Sequence, residues 1–365
     1  MQGIKFGKFI SPHLIKYNER ISIQNKNITN QEMENIIKRI QPKIEKYNRV
    51  NDSKITIFEL ETTIAILHFY ENNCDFVVME TGLGGLYDCT NILNPIVSII
   101  TSIGYDHMHI LGNTLLEITK QKAGIIKENS ETIFVLQDEN EVNNEIKKTC
   151  MEKNNKLHLI DNNNISNYSY DQEFQKFDYK IYKNIKINLK GKKQVYNASI
   201  CVECVDILKS KSYNIPEDAM YQALKTVIHK ARFETISTNP LIIFDGAHNK
   251  PAIKNFVNSV KMYYNNKNKV YFISILKTKD YKTILKELLK DEKSTFIFTD
   301  RNNKEKYTPK EELFNVAKEI TRNENLYIKE IKNVIDFVNK NYRDYTIFFV
   351  GSFYVYGTVI EMLKK

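Results

Sequence analysis

No tryptophan, no run of 18 apolar residues and no block of five basic residues occurs in this chain. Lack of tryptophan goes with abundant Asn, Lys, Ile and Tyr and reads as genome composition rather than function. Lack of a long apolar run excludes a membrane-spanning helix. The five cysteines are scattered and odd in number, which excludes a disulfide framework and fits a reducing cytoplasm. The opening MQGIKFGKFISPH has neither a long apolar core nor a small-residue cleavage site, so no signal peptide is expected. Basic residues exceed acidic ones by 53 to 44, but the two signs are mixed. Without a basic block, a zinc-finger spacing or an RNA-binding signature, the net charge of +9 describes a basic surface and no nucleic-acid partner. Also missing are an internal repeat, a linker rich in Gly or Pro, and a glycine loop carrying Lys-Ser or Lys-Thr for phosphates.

The composition is that of an ordinary globular protein, 42% hydrophobic and 27% charged, and 365 residues suffice for two domains. Short apolar runs that do not alternate predict strands covered on both faces. They are Asp75–Glu80, Pro95–Ser102, Thr132–Leu136, Pro240–Asp245, Lys269–Leu276, Ser294–Asp300 and Tyr345–Gly351. Between them TLLEITKQKAGII, NASICVECVDILKS, PEDAMYQALKTVIHK and PAIKNFVNSVKMYY repeat apolar residues at helical spacing. Alternation of the two predicts a doubly wound α/β architecture. Met151–Lys193, rich in Asn, Lys and Tyr, predicts a peripheral hairpin or small sheet. A second strand–helix series starts near Arg232, which sets expected domains at 1–231 and 232–365.

Five constellations can carry chemistry. Glu80 closes the run FVVME and is followed by Gly82, Gly84 and Gly85. A carboxylate beyond a strand's carboxyl end can hold magnesium on phosphates, or be incidental to a glycine turn. TSIGYDHMHILG brings Asp106, His107 and His109 to the end of another strand, as metal ligand and orienting carboxylate or as satisfied loop residues. Lys122 can neutralise phosphate, react with carbon dioxide if desolvated, or be a solvated helix lysine. DGAHN (Asp245–Asn249) joins a strand end to a helix start, with Arg232 upstream as a planar phosphate clamp. The alternative there is a hydrogen-bonded turn with a boundary ion pair. The Cys201/Cys204 pair lies inside an apolar helical repeat and reads as helix packing.

In order, SPHLIKYNERI, ITIFELETT, METGLGGLYDCTN, TSIGYDHMHILG, KAGII, ARFE and DGAHN resemble the folylpolyglutamate synthase/dihydrofolate synthase family of the Mur-ligase superfamily. ILKTKD and VGSFYVYG extend the resemblance more loosely toward the carboxyl end. It implies an ATP-binding α/β domain followed by a smaller Rossmann-like domain, with the active site in the cleft. It implies phosphorylation of a carboxylate by ATP and attack on the acyl phosphate by the amine of L-glutamate. The carboxylate substrate is dihydropteroate or a folate, and a cytoplasmic monomer is expected. By the same resemblance, Ser11, Glu80 and His107 match magnesium-binding positions and Lys122 matches a carbamylated lysine. Asn197, Arg232, Asp245, Gly246, Ala247 and His248 match ATP contacts. Lys122, His107, Asp245 and His248 are the expected catalytic positions. Thr56, Ile57, Phe58, Glu59, Tyr87, Asp88 and Cys89 match pterin or folate contacts.

The sequence departs from that pattern in three places. The family's Arg-Leu-Asp-Ala-Thr-Asn stands here as Leu86, Tyr87, Asp88, Cys89, Thr90 and Asn91. Lys250 intervenes between DGAHN and Pro251. The family's Thr-Asn-Gly-Lys-Gly-Ser loop lies upstream of SPHL, where this sequence has only MQGIKFGKFI. The first strand, phosphate loop and first helix are therefore expected to be absent. Three expectations stand open: a ligase whose start lies further upstream, a truncated relative that binds without turnover, and an amino-acid ligase of another pathway.

Overall fold

The computed structural model describes residues 3–301, 303 and 305–364. The chain forms two compact units. One takes the chain up to Asp161 together with Ile200–Ala219; the other takes Asn162–Ser199 and the chain from Met220.

The first unit opens with strands β1 (Phe6–Phe9), β2 (Ile21–Ile23) and β3 (Lys26–Asn27) and helices α1 (Asn30–Val50) and α2 (Ile57–Glu71). Strand β4 (Phe76–Met79) completes a four-stranded sheet in the order β3-β2-β1-β4. Next come β5 (Val97–Ile100), α3 (Met108–Leu111), α4 (Leu115–Ala123), β6 (Glu131–Val135), α5 (Asn140–Glu152) and β7 (Lys156–Ile160). Here β5, β6 and β7 form a separate parallel sheet. Each sheet has its own core, one around Phe9, Ile36, Ile64 and Phe69, the other around Ile118, Phe134, Val142 and Ile146. Helices α1, α2 and α4 start alike: Thr29, Thr56 and Thr114 each cap the backbone while Glu32, Glu59 and Glu117 reach back.

Strands β4 and β5 lie at the ends of their sheets among the described residues. Val77 and Val78 remain 42% and 62% exposed, and Ile99 39%. The expectation that these runs are covered on both faces is therefore corrected. An edge strand keeps only one neighbour, and here its apolar side chains stay open.

The second unit begins with β8 (Ile165–Tyr170), β9 (Gln175–Tyr179) and β10 (Tyr182–Ile187), an antiparallel sheet. The small sheet expected in Met151–Lys193 is thus present, but β7 within that span belongs to the parallel sheet of the first unit. Helix α6 (Lys192–Ser210) is divided between the units at Ser199, and α7 (Glu217–Thr226) follows. The rest alternates: β11 (Glu234–Thr238), β12 (Leu241–Asp245), α8 (Lys250–Tyr264), β13 (Lys269–Ile273), α9 (Tyr281–Leu288), β14 (Thr295–Phe298), α10 (Lys310–Ile320), β15 (Leu326–Ile328), α11 (Val334–Asn341), β16 (Thr346–Val350) and α12 (Tyr356–Leu363). These strands form one sheet, β11-β12-β16-β13-β14-β15, parallel except for β11. Every position of β13, β14 and β16 is buried. A division at 231/232 follows chain order, whereas the compact grouping does not. The small sheet goes with the carboxyl-terminal part because Gln172 donates to Tyr263 O at 2.9 Å and Tyr170 packs edge-on against the Tyr263 ring.

Candidate functional site

In the first unit, parallel pairing sets Phe9 of β1 opposite Met79 of β4. Ser11 and Glu80 therefore leave neighbouring carboxyl ends together. The Ser11 N–H donates to Glu80 Oε2 at 2.8 Å, and the Glu80 N–H donates to Phe9 O at 3.0 Å. Both residues offer oxygen atoms, which suit a hard cation completed by phosphate and water. Among the described residues no group of three or more His, Cys, Asp or Glu is arranged to hold a metal alone.

His107 precedes α3 with φ of 48°, in the left-handed region. Its N–H donates to Asp106 Oδ1 at 2.9 Å, and its Nε2 lies 3.8 Å from the same oxygen. Lys122 stands in the last turn of α4. Burial pushes its ammonium below the ordinary lysine range, against a smaller opposing effect of the Asp106 carboxylate. Asp106 thus acts on both His107 and Lys122. The glycine loop after Glu80 is pressed onto the same helix: the Leu86 N–H donates to Gln121 O at 2.7 Å. A Cβ on Gly85 would stand 2.7 Å from that oxygen, which restricts the position to glycine.

The expected pterin positions divide into two kinds. Thr56 and Glu59 are engaged in the cap of α2, and their mutual hydrogen bonds hold the Glu59 carboxyl below its usual range. Asp88 accepts from the Leu83 N–H at 2.8 Å and the Thr90 N–H at 3.0 Å. Cys89 Sγ lies 3.0 Å from Thr62 Oγ1, and Phe58 packs on Phe9. Only Ile57 and Tyr87, 72% and 84% exposed, present open apolar surface. The SPHLIKYNERI motif is also held internally: Arg20 pairs with buried Glu61 of α2 at 2.7 Å, and the Tyr17 hydroxyl donates to the same carboxylate.

In the second unit, Asp245 ends β12 and accepts from the Phe233 N–H at 3.0 Å and the Ala247 N–H at 2.7 Å. Burial outweighs those bonds and nearby Arg232, raising its carboxyl to about 6. The Gly246 N–H donates to Ala231 O at 2.8 Å. His248 Nδ1 donates to Gly246 O at 2.8 Å, so its neutral form keeps Nε2 as an acceptor. Phe353, just after β16, gathers the cluster. Arg232 lies over its ring at 4.5 Å and His248 meets it edge-on at 5.4 Å. A Cβ on Gly246 would fall 2.0 Å from that ring. Asn197, on α6, donates to Gln194 Oε1 at 3.0 Å. The loops ARFE, DGAHN and VGSF are thus one constellation.

Two of its members were not expected as site residues. Burial, reinforced by nearby Arg232, lowers the Lys193 ammonium, one helical turn before Asn197. Lys193 fell at the end of the segment expected to form the small sheet and carried no motif, whereas Phe353 lay in VGSFYVYG. Their proximity to Arg232 is long-range and had no local signal.

The chain matches the Mur ligase middle domain over residues 26–205 and the dihydrofolate synthetase C-terminal domain over 229–362. It is 32% identical over 302 residues to the dihydrofolate synthase/folylpolyglutamate synthase of Bacillus subtilis, covering 78% of this chain and 68% of that protein. It is likewise 32% identical over 302 residues to the dihydrofolate synthetase of Saccharomyces cerevisiae, covering 79% of this chain and 69% of that protein. The crystal structure of a folylpolyglutamate synthase from Thermotoga maritima superposes with a TM-score of 0.84 at 25% identity, over 100% of this chain and 83% of that one. The Escherichia coli FolC complex with DHPP and ADP gives 0.82 at 25% identity, over 99% and 82%. With two domain matches in order and relatives 32% identical over more than two thirds of their length, the chain belongs to the dihydrofolate synthase/folylpolyglutamate synthase family of Mur-type ligases.

Proposed function

We propose that this chain uses ATP to join L-glutamate to dihydropteroate, to a folate, or to both. The observation that carries this reading is the ordered match to both ligase domains, 26–205 and 229–362. The relatives' names speak of both activities, so either acceptor is consistent with them.

Each unit has its own share of the work. In the second, Arg232 and Lys193 supply positive charge for phosphate, and Phe353 holds the guanidinium plane in place. The turn from Gly246 to His248 offers backbone and imidazole contacts to the nucleotide, with Asn197 beside Lys193 as a further contact. In the first, Ser11 and Glu80 would hold magnesium, with His107 as the third proposed ligand. Bound magnesium supplies neutralisation of charge on the transferring phosphoryl group. Lys122 is the proposed carbamate. Its desolvated amine favours the neutral form, which attacks carbon dioxide and loses a proton to give an anionic oxygen ligand. Ile57 and Tyr87 provide open apolar surface for a flat ring. Five free cysteines fit a cytoplasmic setting, and a monomer suffices for these roles.

The test is a ligation assay of the full chain with magnesium, ATP, labelled L-glutamate and either dihydropteroate or tetrahydrofolate. The expected result is one amide formed per ATP cleaved to ADP and phosphate, with at least one acceptor. Nucleotide and acceptor binding with no amide formed would contradict the reading and favour a binding protein. Turnover of a cell-wall nucleotide precursor alone would move the chain to another Mur-type reaction.

A further inference from the structure

The sheet β5-β6-β7 borders a recess at the end opposite the His107 loop. Pro95 and Ile96 precede β5, and Asn129 and Ser130 precede β6, so these residues border amino ends of strands. Ser102 to His107 follow the carboxyl end of β5. Four strand residues separate the two ends by roughly 13 Å. The recess has a volume of about 770 Å³, within the range of small-molecule sites. Its lining includes three lysines, Lys127, Lys153 and Lys211, against one acid, Glu128.

Two of the lysines are held rather than neutralised. Lys127 Nζ donates to Asn91 O at 2.7 Å, and Lys153 Nζ donates to Ile126 O at 2.6 Å. A carbonyl takes one of an ammonium's three donors and none of its charge. Lys211 alone is paired with a carboxylate, Glu131, at 2.8 Å. The loops are pinned as well: the Asn129 N–H donates to Lys153 O at 3.1 Å, and the Asn155 side chain donates to Lys127 O at 2.8 Å. Pro95, Ile96 and Ile126 add an apolar wall. Fixed loops bearing two ammoniums with donors to spare suit an anion with little ordering cost.

We propose that this recess binds a small organic dianion, its acidic groups on Lys127 and Lys153 and its carbon body against Pro95 and Ile96. The shared chemistry is two negative charges on a short carbon chain, offered by a dicarboxylate or by an organic phosphate. The site lies within the first unit and does not depend on the ligase reading.

The experiment is calorimetric titration of the full chain, without nucleotide, at constant ionic strength. Glutarate and glycerol 3-phosphate represent the two sources, and acetate serves as the monoanion. Saturable binding of one dianion, about tenfold tighter than acetate, is expected. Lys127→Gln with Lys153→Gln should weaken it at least about tenfold. Lys290→Gln, on the exposed surface, should not. Hydrogen exchange should slow at residues 126–130 in the wild type on addition of the preferred dianion, a readout that stands even if the double variant is unstable. No saturable binding of either dianion, equal affinity in a folded double variant, or slowed exchange elsewhere than 126–130 would overturn the proposal.

Discussion

Two short apolar strands, β4 (FVVM) and β16 (TIFFV), have similar composition and very different surroundings. Strand β16 lies between β12 and β13 and is buried at all five positions. Phe349 stacks on Phe272 with ring centres 4.9 Å apart. Strand β4 ends its sheet among the described residues and exposes both central valines. Each leads into a proposed site loop, Glu80 after β4 and Phe353 after β16. The cluster proposed for the nucleotide in the second unit therefore stands on a central strand, while the acidic position of the first stands, among the described residues, on an edge. Apolar composition predicts a strand but not its neighbours. The local stability of a site loop follows from those neighbours.

Substitution should expose the contrast most strongly. Phe349→Ala should destabilise the second unit by about 3–5 kcal/mol, the usual cost of removing a buried aromatic. Val78→Ala should cost under about 1 kcal/mol, since little burial is lost. Chemical denaturation followed by a probe in each unit checks both, and equal losses would erase the comparison. A smaller effect is expected in native-state hydrogen exchange, where amides of β4 should exchange at least about tenfold faster than those of β16.

The pH dependence of two partly buried groups sharpens the comparison further. His158 is held between Glu203 at 2.9 Å and Glu131 at 2.8 Å, and Lys211 and Lys156 also approach Glu131. Glu203, then Glu131, raises its imidazolium above the ordinary 6.5 despite burial. Its stabilisation is fully present below pH 6.5 and is lost as pH rises through the folded value. His158→Gln should remove that dependence, lowering stability near pH 6 by about 1–3 kcal/mol and much less at pH 9. Thermal unfolding across that range is the measurement. Asp245 should show the opposite of a carboxylate's usual dependence. Its folded value of about 6 lies above the ordinary 3.8, so its contribution is complete below pH 3.8 and is lost as pH rises through about 6. A carbon-13 titration of Asp245 should show a midpoint near 6; an ordinary carboxylate midpoint would contradict its burial.

The seven predicted strands are all present, because uninterrupted Val, Ile and Phe mark a strand wherever it sits. Helices α1 and α2 lie outside the predicted helices, although Thr29–Glu32 and Thr56–Glu59 spell a capping box, a local signal legible in the sequence. The exposure of β4 was not readable, since it depends on sheet order. At the site, Glu80, His107, Lys122, Arg232 and DGAHN carried motifs. Asp106 acting on Lys122, Phe353 beneath Arg232, and Lys193 beside it rest on contacts remote in sequence. The expected pterin residues show the converse limit. Thr56, Glu59 and Asp88 match a pattern, yet their side chains are bound to their own backbone.

The central claim is that nucleotide binding in this chain rests on the Arg232–Phe353 cluster of the second unit. Equilibrium binding of ADP without magnesium, compared among wild type, Arg232→Ala and Glu80→Gln, tests it most directly. The account predicts affinity at least about tenfold weaker for Arg232→Ala, as for loss of a charge-assisted contact, and unchanged for Glu80→Gln. ADP binding by a folded Arg232→Ala protein at wild-type affinity would contradict it.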